Sequence, residues 1–262
     1  MRSDTLATPR TALVTGAGKG IGRAIALALA ESGAKVVAIS RTLADVDRVV
    51  EEIRQRGGTA LALAADVAQA ADVASAVAAA TAELGPIDIL VNNAGHNSLG
   101  RLDEQDATEW WDQVAVSLGG TYNFSRAVIP SMVARRWGRV INVASISGKQ
   151  GVKFCTAYCS AKHAVIGFTR ALALEVAEDG VTVNAICPGF VETELTDRTS
   201  QQRSELFGQP LAAIRQGAVD RNPQRSIMSP DEVVPAVLFF ASEASARTTG
   251  EAMNISGGSV MH

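Results

Sequence analysis

Cysteine is scarce in this chain: three in 262 residues, Cys155, Cys159 and Cys187. An odd number grouped late in the sequence makes no disulfide framework and fits a reducing compartment. Cys155 and Cys159 lie one helical turn apart. Histidine is equally scarce (His96, His163 and His262), so a metal site would lack its remaining ligands, and the thiols read as packed side chains. No metal is expected. An excess of positive charge is missing too. Lys and Arg number 24 against 27 Asp and Glu, a net charge of -3, which leaves no basic footprint for nucleic acid. No apolar run approaches the roughly 18 residues that a membrane-spanning helix needs. Residues 1–10 are polar and carry no apolar signal core. These absences predict a cytoplasmic protein, with neither a nucleic acid nor a membrane as partner.

The composition that remains is ordinary globular: 47% hydrophobic, 19% charged and 5% aromatic. Disorder and collagen-like structure are excluded. Short apolar runs alternate with helix-period segments. Strands are predicted at Thr11–Thr15, 36–40, Ala60–Ala64, 87–92, 139–144, 181–186 and Ala252–Ile255. Helices are predicted at 21–32, 43–56, Ala70–Leu84, 108–136, 157–179 and 230–241, the fourth disturbed at Gly119, Gly120 and Pro130. Residues 194–229 read as irregular. Strands that are apolar almost throughout are buried on both faces, which marks a parallel sheet. The expected architecture is one α/β domain over residues 1–262, a doubly wound, seven-stranded parallel sheet in three layers α/β/α, Rossmann-like.

The first strand runs into Thr15, Gly16, Ala17, Gly18, Lys19, Gly20, Ile21 and Gly22, where a helix starts. Glycines permit a tight turn and let backbone N–H groups approach a pyrophosphate at the positive helix end. The spacing differs from the common dinucleotide fingerprint, because Ile21 stands where its last glycine would be. An NAD enzyme wants an acid at the end of the second strand to accept from the ribose 2′-hydroxyl. Here that end reads Ser40 then Arg41. Arg41 can pair with a 2′-phosphate through its planar fork, and Lys19 adds a second cation. NADP(H) is therefore expected in preference to NAD(H); the alternative leaves Arg41 and Lys19 as solvated surface charges, with Asp45 or Asp47 in a role the sequence does not define.

Tyr158 and Lys162 are four apart on a predicted helix, so they share one face. A phenol of pKa about 10 is a poor acid–base group at neutral pH. One ammonium near 4 Å contributes about 4 kcal/mol at an effective dielectric of 20, enough to lower it by two to three units. The pair alone is suggestive. Taken in order, the Thr15 to Gly22 turn, Asn92, Asn93, Ala94 and Gly95, then Ser145, then Tyr158 with Lys162, then Pro188 and Gly189 resemble the classical short-chain dehydrogenase/reductase family over nearly the whole chain.

That resemblance implies a hydride-transferring oxidoreductase with Ser145, Tyr158 and Lys162 as catalytic residues. Tyr158 would protonate the carbonyl oxygen, Ser145 would hydrogen-bond it, and Lys162 would hold the nicotinamide ribose and acidify the phenol. Asp66 and Val67 would contact the adenine, and Asn93, Ala94 and Gly95 would back the cofactor. Pro188, Gly189, Val191 and Thr193 would line the nicotinamide. The family usually assembles as homotetramers through its two long late helices. One position departs from the family pattern: Ser117 stands in Val116-Ser117-Leu118-Gly119-Gly120 where an asparagine is usual. This puts the proton relay in question and opens a second reading, a non-catalytic subunit; Asn123 lies too far along the helix to substitute.

For substrate, the segments around Gly148–Val152 and Cys187–Thr193 are similar to polyketide and acyl ketoreductases, with 3-hydroxyacyl-CoA or other secondary-alcohol dehydrogenases linked to NAD as the alternative. Residues 194–229 would form a lid. His96, Phe154 and Phe190, with Trp110 and Trp111, are candidates to wall an apolar substrate pocket.

Overall fold

The structure is a computed structural model that describes residues 9–262. The polar opening segment, as far as residue 8, lies outside the described residues. Parallel strands β1 (Thr11–Thr15), β2 (Lys35–Ser40), β3 (Ala60–Ala64), β4 (Ile89–Asn92), β5 (Gly138–Val143), β6 (Val181–Pro188) and β7 (Ala252–Ile255) form one sheet. Its order is β3-β2-β1-β4-β5-β6-β7. Every residue of β1, β5 and β6 is buried, because helices cover both faces.

One face carries α1 (Gly20–Glu31), α2 (Leu43–Gln55) and α9 (Val234–Ala241). Leu29, Val49, Ile53 and Phe240 join the core there with Val14, Val36 and Ile89. The other face carries α3 (Ala70–Leu84), α5 (Gly120–Arg135) and α6 (Thr156–Val176), where Ala80, Phe124, Met132 and Ala173 join Leu13, Val37, Leu90 and Val140. Alternate sheet positions thus feed two apolar layers, as the near-continuous apolar strands predict. Among the described residues no helix is long and apolar enough to cross a membrane.

Three sequence expectations change. Residues 194–229 are largely helical: α7 (Glu194–Phe207) and α8 (Leu211–Arg221) occupy them. Thr193 caps α7 by accepting from the Thr196 amide, Glu194 and Asp197 sit in its first turn, and Gly208 closes it at φ 63°. The helix escaped notice because it buries only Thr199 and Ser200 and so shows no apolar stripe. The helix expected over 108–136 is three pieces: α4 (Ala107–Val114), a π-helical turn at Ala115–Gly119, and α5. The disturbance thus begins ahead of the glycine pair, while Pro130 is accommodated inside α5. The strand expected at 87–92 begins at Ile89, because the Asp88 carboxylate is turned to the Thr11 amide (3.0 Å) and to Arg135.

Candidate active site

Strand order reverses between β1 and β4, so a crevice opens at their carboxyl ends. It holds a cleft of about 380 Å3. Gly16, Gly18, Lys19, Gly20, Ile21 and Gly22 form one wall after β1; Ser40 and Arg41 follow β2, and Asp66 and Val67 follow β3. Asn93, Ala94, Gly95 and His96 follow β4; Pro188, Gly189, Val191 and Thr193 follow β6; Ser145, Tyr158 and Lys162 close the inner end. Residues spread over almost 180 positions are therefore brought to one cleft by the sheet.

The glycine turn is fixed by steric need. Gly16 has φ 63°, and a Cβ on Gly22 would lie 2.2 Å from the Gly16 carbonyl oxygen and 2.4 Å from Asn93 Nδ2. Asn93 Nδ2 donates to the Thr15 carbonyl at 2.9 Å, and the Thr15 hydroxyl accepts from the Asn93 and Ala94 amides at 3.0 Å. The two strand ends are stapled together, so Asn93 is a brace as well as a wall. Asn92 lies behind it in a buried network, donating to Asn142 Oδ1 (2.9 Å) and Ser125 Oγ (3.2 Å). The first turn of α1 has neither a side-chain cap nor an acid. Its leading amides are left without intrahelical partners at the cleft wall, an end suited to an anion.

At the far end of the cleft the charges separate into paired and unpaired. Lys19 is ion-paired with Glu194 of α7 at 2.5 Å, so its charge bridges the turn and α7, which the sequence reading did not foresee. Arg41 is exposed and has no ion-pair partner among the described residues. Asp45 also lines the cleft, but its carboxylate is paired with Arg48 at 2.5 Å. Asn123, set aside by the sequence reading, donates to the Val67 carbonyl at 3.0 Å and so fixes the loop after β3.

Helix α6 presents Tyr158 and Lys162 one turn apart. Lys162 is buried; its Nζ donates to the Val143 carbonyl at 2.7 Å and lies 5.6 Å from the Tyr158 ring centre. Burial holds its pKa well below 10.5, at about 8. Burial also pushes Tyr158 up to about 12, while its hydrogen bond with Ser145 pulls the other way. Lys162, 5.6 Å from the ring centre, is not among the groups that lower the phenol; the Ser145 hydrogen bond is. Ser145 Oγ accepts from the Ser147 amide at 3.1 Å, so the turn role and the site role coexist in one residue. Ser117, on the π-helical turn, buries a hydroxyl without a hydrogen-bond partner. A Cβ on Gly95 would be 3.3 Å from that hydroxyl and 3.5 Å from Lys162 Nζ, so the three meet at one corner.

A second cavity of about 370 Å3 shares Ser145, Tyr158 and Gly189 with the cleft and opens toward α7 and α8; Phe190 lines it. His96 sits instead in the cofactor cleft, its Nε2 3.4 Å from Asp112 and its pKa lowered chiefly by burial. Phe154 does not wall either cavity. It adopts φ 66° and packs its ring on Phe207, 5.3 Å between centres. Trp111 is exposed, and Trp110 donates to Thr156 Oγ1 at 3.1 Å. Arg203 and Arg221, two of the five arginines that the sequence places in the lid segment, line the second cavity from α7 and α8, and Asn97, which carried no sequence signal, reaches it from the segment after β4.

The comparisons with known proteins agree with this geometry. Residues 10–204 match the family described as short chain dehydrogenase. The chain is 37% identical over 255 residues to a 3-oxoacyl-[acyl-carrier-protein] reductase of Vibrio cholerae, covering 96% of this chain and 98% of that one. It is also 37% identical over 252 residues to a D-beta-hydroxybutyrate dehydrogenase of Cupriavidus necator, with 95% and 97% covered. Among solved structures, a variant of the actinorhodin polyketide ketoreductase with NADPH superimposes with a TM-score of 0.92 at 35% identity, over 95% of this chain and 97% of that one. The chain is an oxidoreductase by descent and belongs to the short-chain dehydrogenase family.

Proposed function

We propose that the chain is an NADP(H)-dependent ketoreductase that interconverts a ketone and a secondary alcohol, acting as one domain with α7 and α8 as its lid. The observation that carries this reading is the convergence of Ser145, Tyr158 and buried Lys162 on a cleft whose other wall is an uncapped helix start. The cradle fits the cofactor: Gly16 and Gly22, where a side chain would strike Asn93 and the turn's own backbone, keep the loop tight against the cleft, and the α1 amides suit a pyrophosphate. Arg41, exposed and without a carboxylate partner among the described residues, favours the 2′-phosphate form. NAD(H) is the alternative, but the acid placed to serve it, Asp45, is committed to Arg48.

Bound NADPH supplies the hydride. The chain supplies the proton: Tyr158 donates it to the substrate oxygen while Ser145 hydrogen-bonds that oxygen. Burial raises this phenol toward 12, and the Ser145 hydrogen bond pulls it back toward the acidity that proton transfer needs. Lys162 stands beside the Tyr158 ring and holds a positive charge near the donor. At Ser117 a buried hydroxyl faces the Gly95 and Lys162 corner, so a proton-carrying group persists where the family usually has asparagine. Exposed Tyr122 on α5 and Leu174 on α6 favour a homo-oligomer through these helices, and the enzyme works in the cytoplasm.

The test is loss of NADPH absorbance with a panel of diketones and β-ketoesters. Turnover is expected, and Tyr158→Phe should lower kcat by about 100-fold or more while cofactor binding persists. Cofactor binding with no turnover on any carbonyl would establish the non-catalytic reading instead.

A further inference from the structure

The second cavity has a one-sided charge. Arg203 of α7, Arg221 of α8 and Lys153 line it together with Ser145 and Tyr158, and no carboxylate is among its lining residues. Elsewhere on the lid, two arginines are neutralised, Arg215 by Glu192 at 3.4 Å and Asp197 at 3.2 Å and Arg225 by Asp220 at 3.3 Å, while Arg198 donates to the Asn97 carbonyl at 3.4 Å. The cations that face the cavity differ. Among the described residues neither Arg203, Arg221 nor Lys153 has an ion-pair partner. Lys153 Nζ lies over the rings of Phe154 (4.9 Å) and Phe207 (5.6 Å). Arg203 is the most committed of the three. Its Nη2 reaches only the Cys155 thiol, at 3.8 Å, and its Nε is buried without a hydrogen-bond partner.

A guanidinium N–H taken out of water without an acceptor is costly, and a planar fork is the donor best matched to a carboxylate. We propose that the substrate is a keto acid (or, in reverse, a hydroxy acid), its carboxylate held by Arg203 and its carbonyl presented to Ser145 and Tyr158 in the same cavity. This inference rests on the ketoreductase reading and narrows it: Arg203 is a specificity residue that selects an anionic end group. The sequence expectation of an apolar pocket is thereby replaced by one with an apolar wall at Phe190 and a cationic end.

The test uses the full chain with NADPH, 4-oxopentanoate and 5-oxohexanoate, and the methyl esters of both. The acid of the better length should exceed its ester in kcat/KM by about 10- to 100-fold, the span of one charge-assisted hydrogen bond, and the difference should lie in KM. Arg203→Leu should erase that preference while the ester changes by less than about threefold, and Arg203→Lys should restore part of it. A second readout needs no turnover: the acid should raise the thermal midpoint of the enzyme with NADPH, and this rise should vanish in Arg203→Leu. Equal use of acid and ester, or an equal loss of both in Arg203→Leu, overturns the anionic site. Acid-specific stabilisation without turnover of any carbonyl supports the site and sinks the ketoreductase reading. Reduction of diketones or esters with no advantage for the acids does the opposite.

Discussion

Replacing Lys162 by Met should inactivate the protein and change its stability in a way whose pH dependence is calculable. Lys162 is buried, and burial lowers its pKa from 10.5 to about 8. A lysine whose folded pKa lies below its unfolded value is protonated more readily in the unfolded chain. The penalty on folding is therefore full below about pH 8 and fades as pH rises toward the unfolded value. By linkage it amounts to about 3 kcal/mol near pH 7 and about 1 kcal/mol near pH 10. Methionine matches the stem in length and carries no charge. It also leaves the Val143 carbonyl without its 2.7 Å donor, a cost of about 1–3 kcal/mol that opposes the gain at every pH.

That cost and any packing change are independent of pH, so they cancel when the mutant-minus-wild-type difference is compared at two pH values. Tyr158, near 12, stays protonated at both pH values, and Cys187, whose charge acts on Lys162, is replaced by alanine in both proteins so that its titration drops out. The double difference should be about 2 kcal/mol: the mutant's advantage shrinks by that amount between pH 7 and pH 10. Urea unfolding at both pH values, with equal m-values in the two proteins, measures it. A double difference within about 0.5 kcal/mol of zero would refute the claim that the amine is a buried, destabilised cation.

Three further perturbations bear on the cleft. Arg41→Asp should lower kcat/KM for NADPH by about 10- to 100-fold and leave NADH unchanged or improved, in steady-state titrations of the two cofactors; an unchanged cofactor ratio would remove Arg41 from 2′-phosphate recognition. Gly22→Ala puts a methyl 2.2 Å from the Gly16 carbonyl oxygen, so cofactor affinity by fluorescence titration should fall more than 10-fold or the protein should fail to fold; near-normal binding would show that the turn can relax. Ser117→Ala deletes a buried hydroxyl that has no partner and should gain about 1 kcal/mol in urea unfolding while kcat drops several-fold; full activity would exclude that hydroxyl from proton transfer.

What the sequence made legible, and what it did not, divides along a physical line. Positions whose role follows from backbone geometry were readable, because their constraint is local: Gly16 and Gly22 in a turn that admits no side chain, and Tyr158 and Lys162 sharing one helical face. The sheet was readable for the same reason, since strands buried on both faces must be apolar at successive positions. Features set by desolvation or by distant partners were not. The glycine-turn cation Lys19 is claimed by Glu194, 175 positions away. Phe154 was read as a pocket wall but takes a left-handed backbone and packs on Phe207 of a helix that has no apolar stripe. Tyr158 shows the limit most sharply. Spacing alone places an ammonium near a phenol, but the sign of the phenol's shift depends on how far it loses water and on what bonds to it, and here burial raises it against the Ser145 hydrogen bond. The consequence is chemical. A phenol held toward 12 keeps its proton at neutral pH, so exchanging that proton with a substrate oxygen calls on the Ser145 hydrogen bond, the contact that pulls against burial.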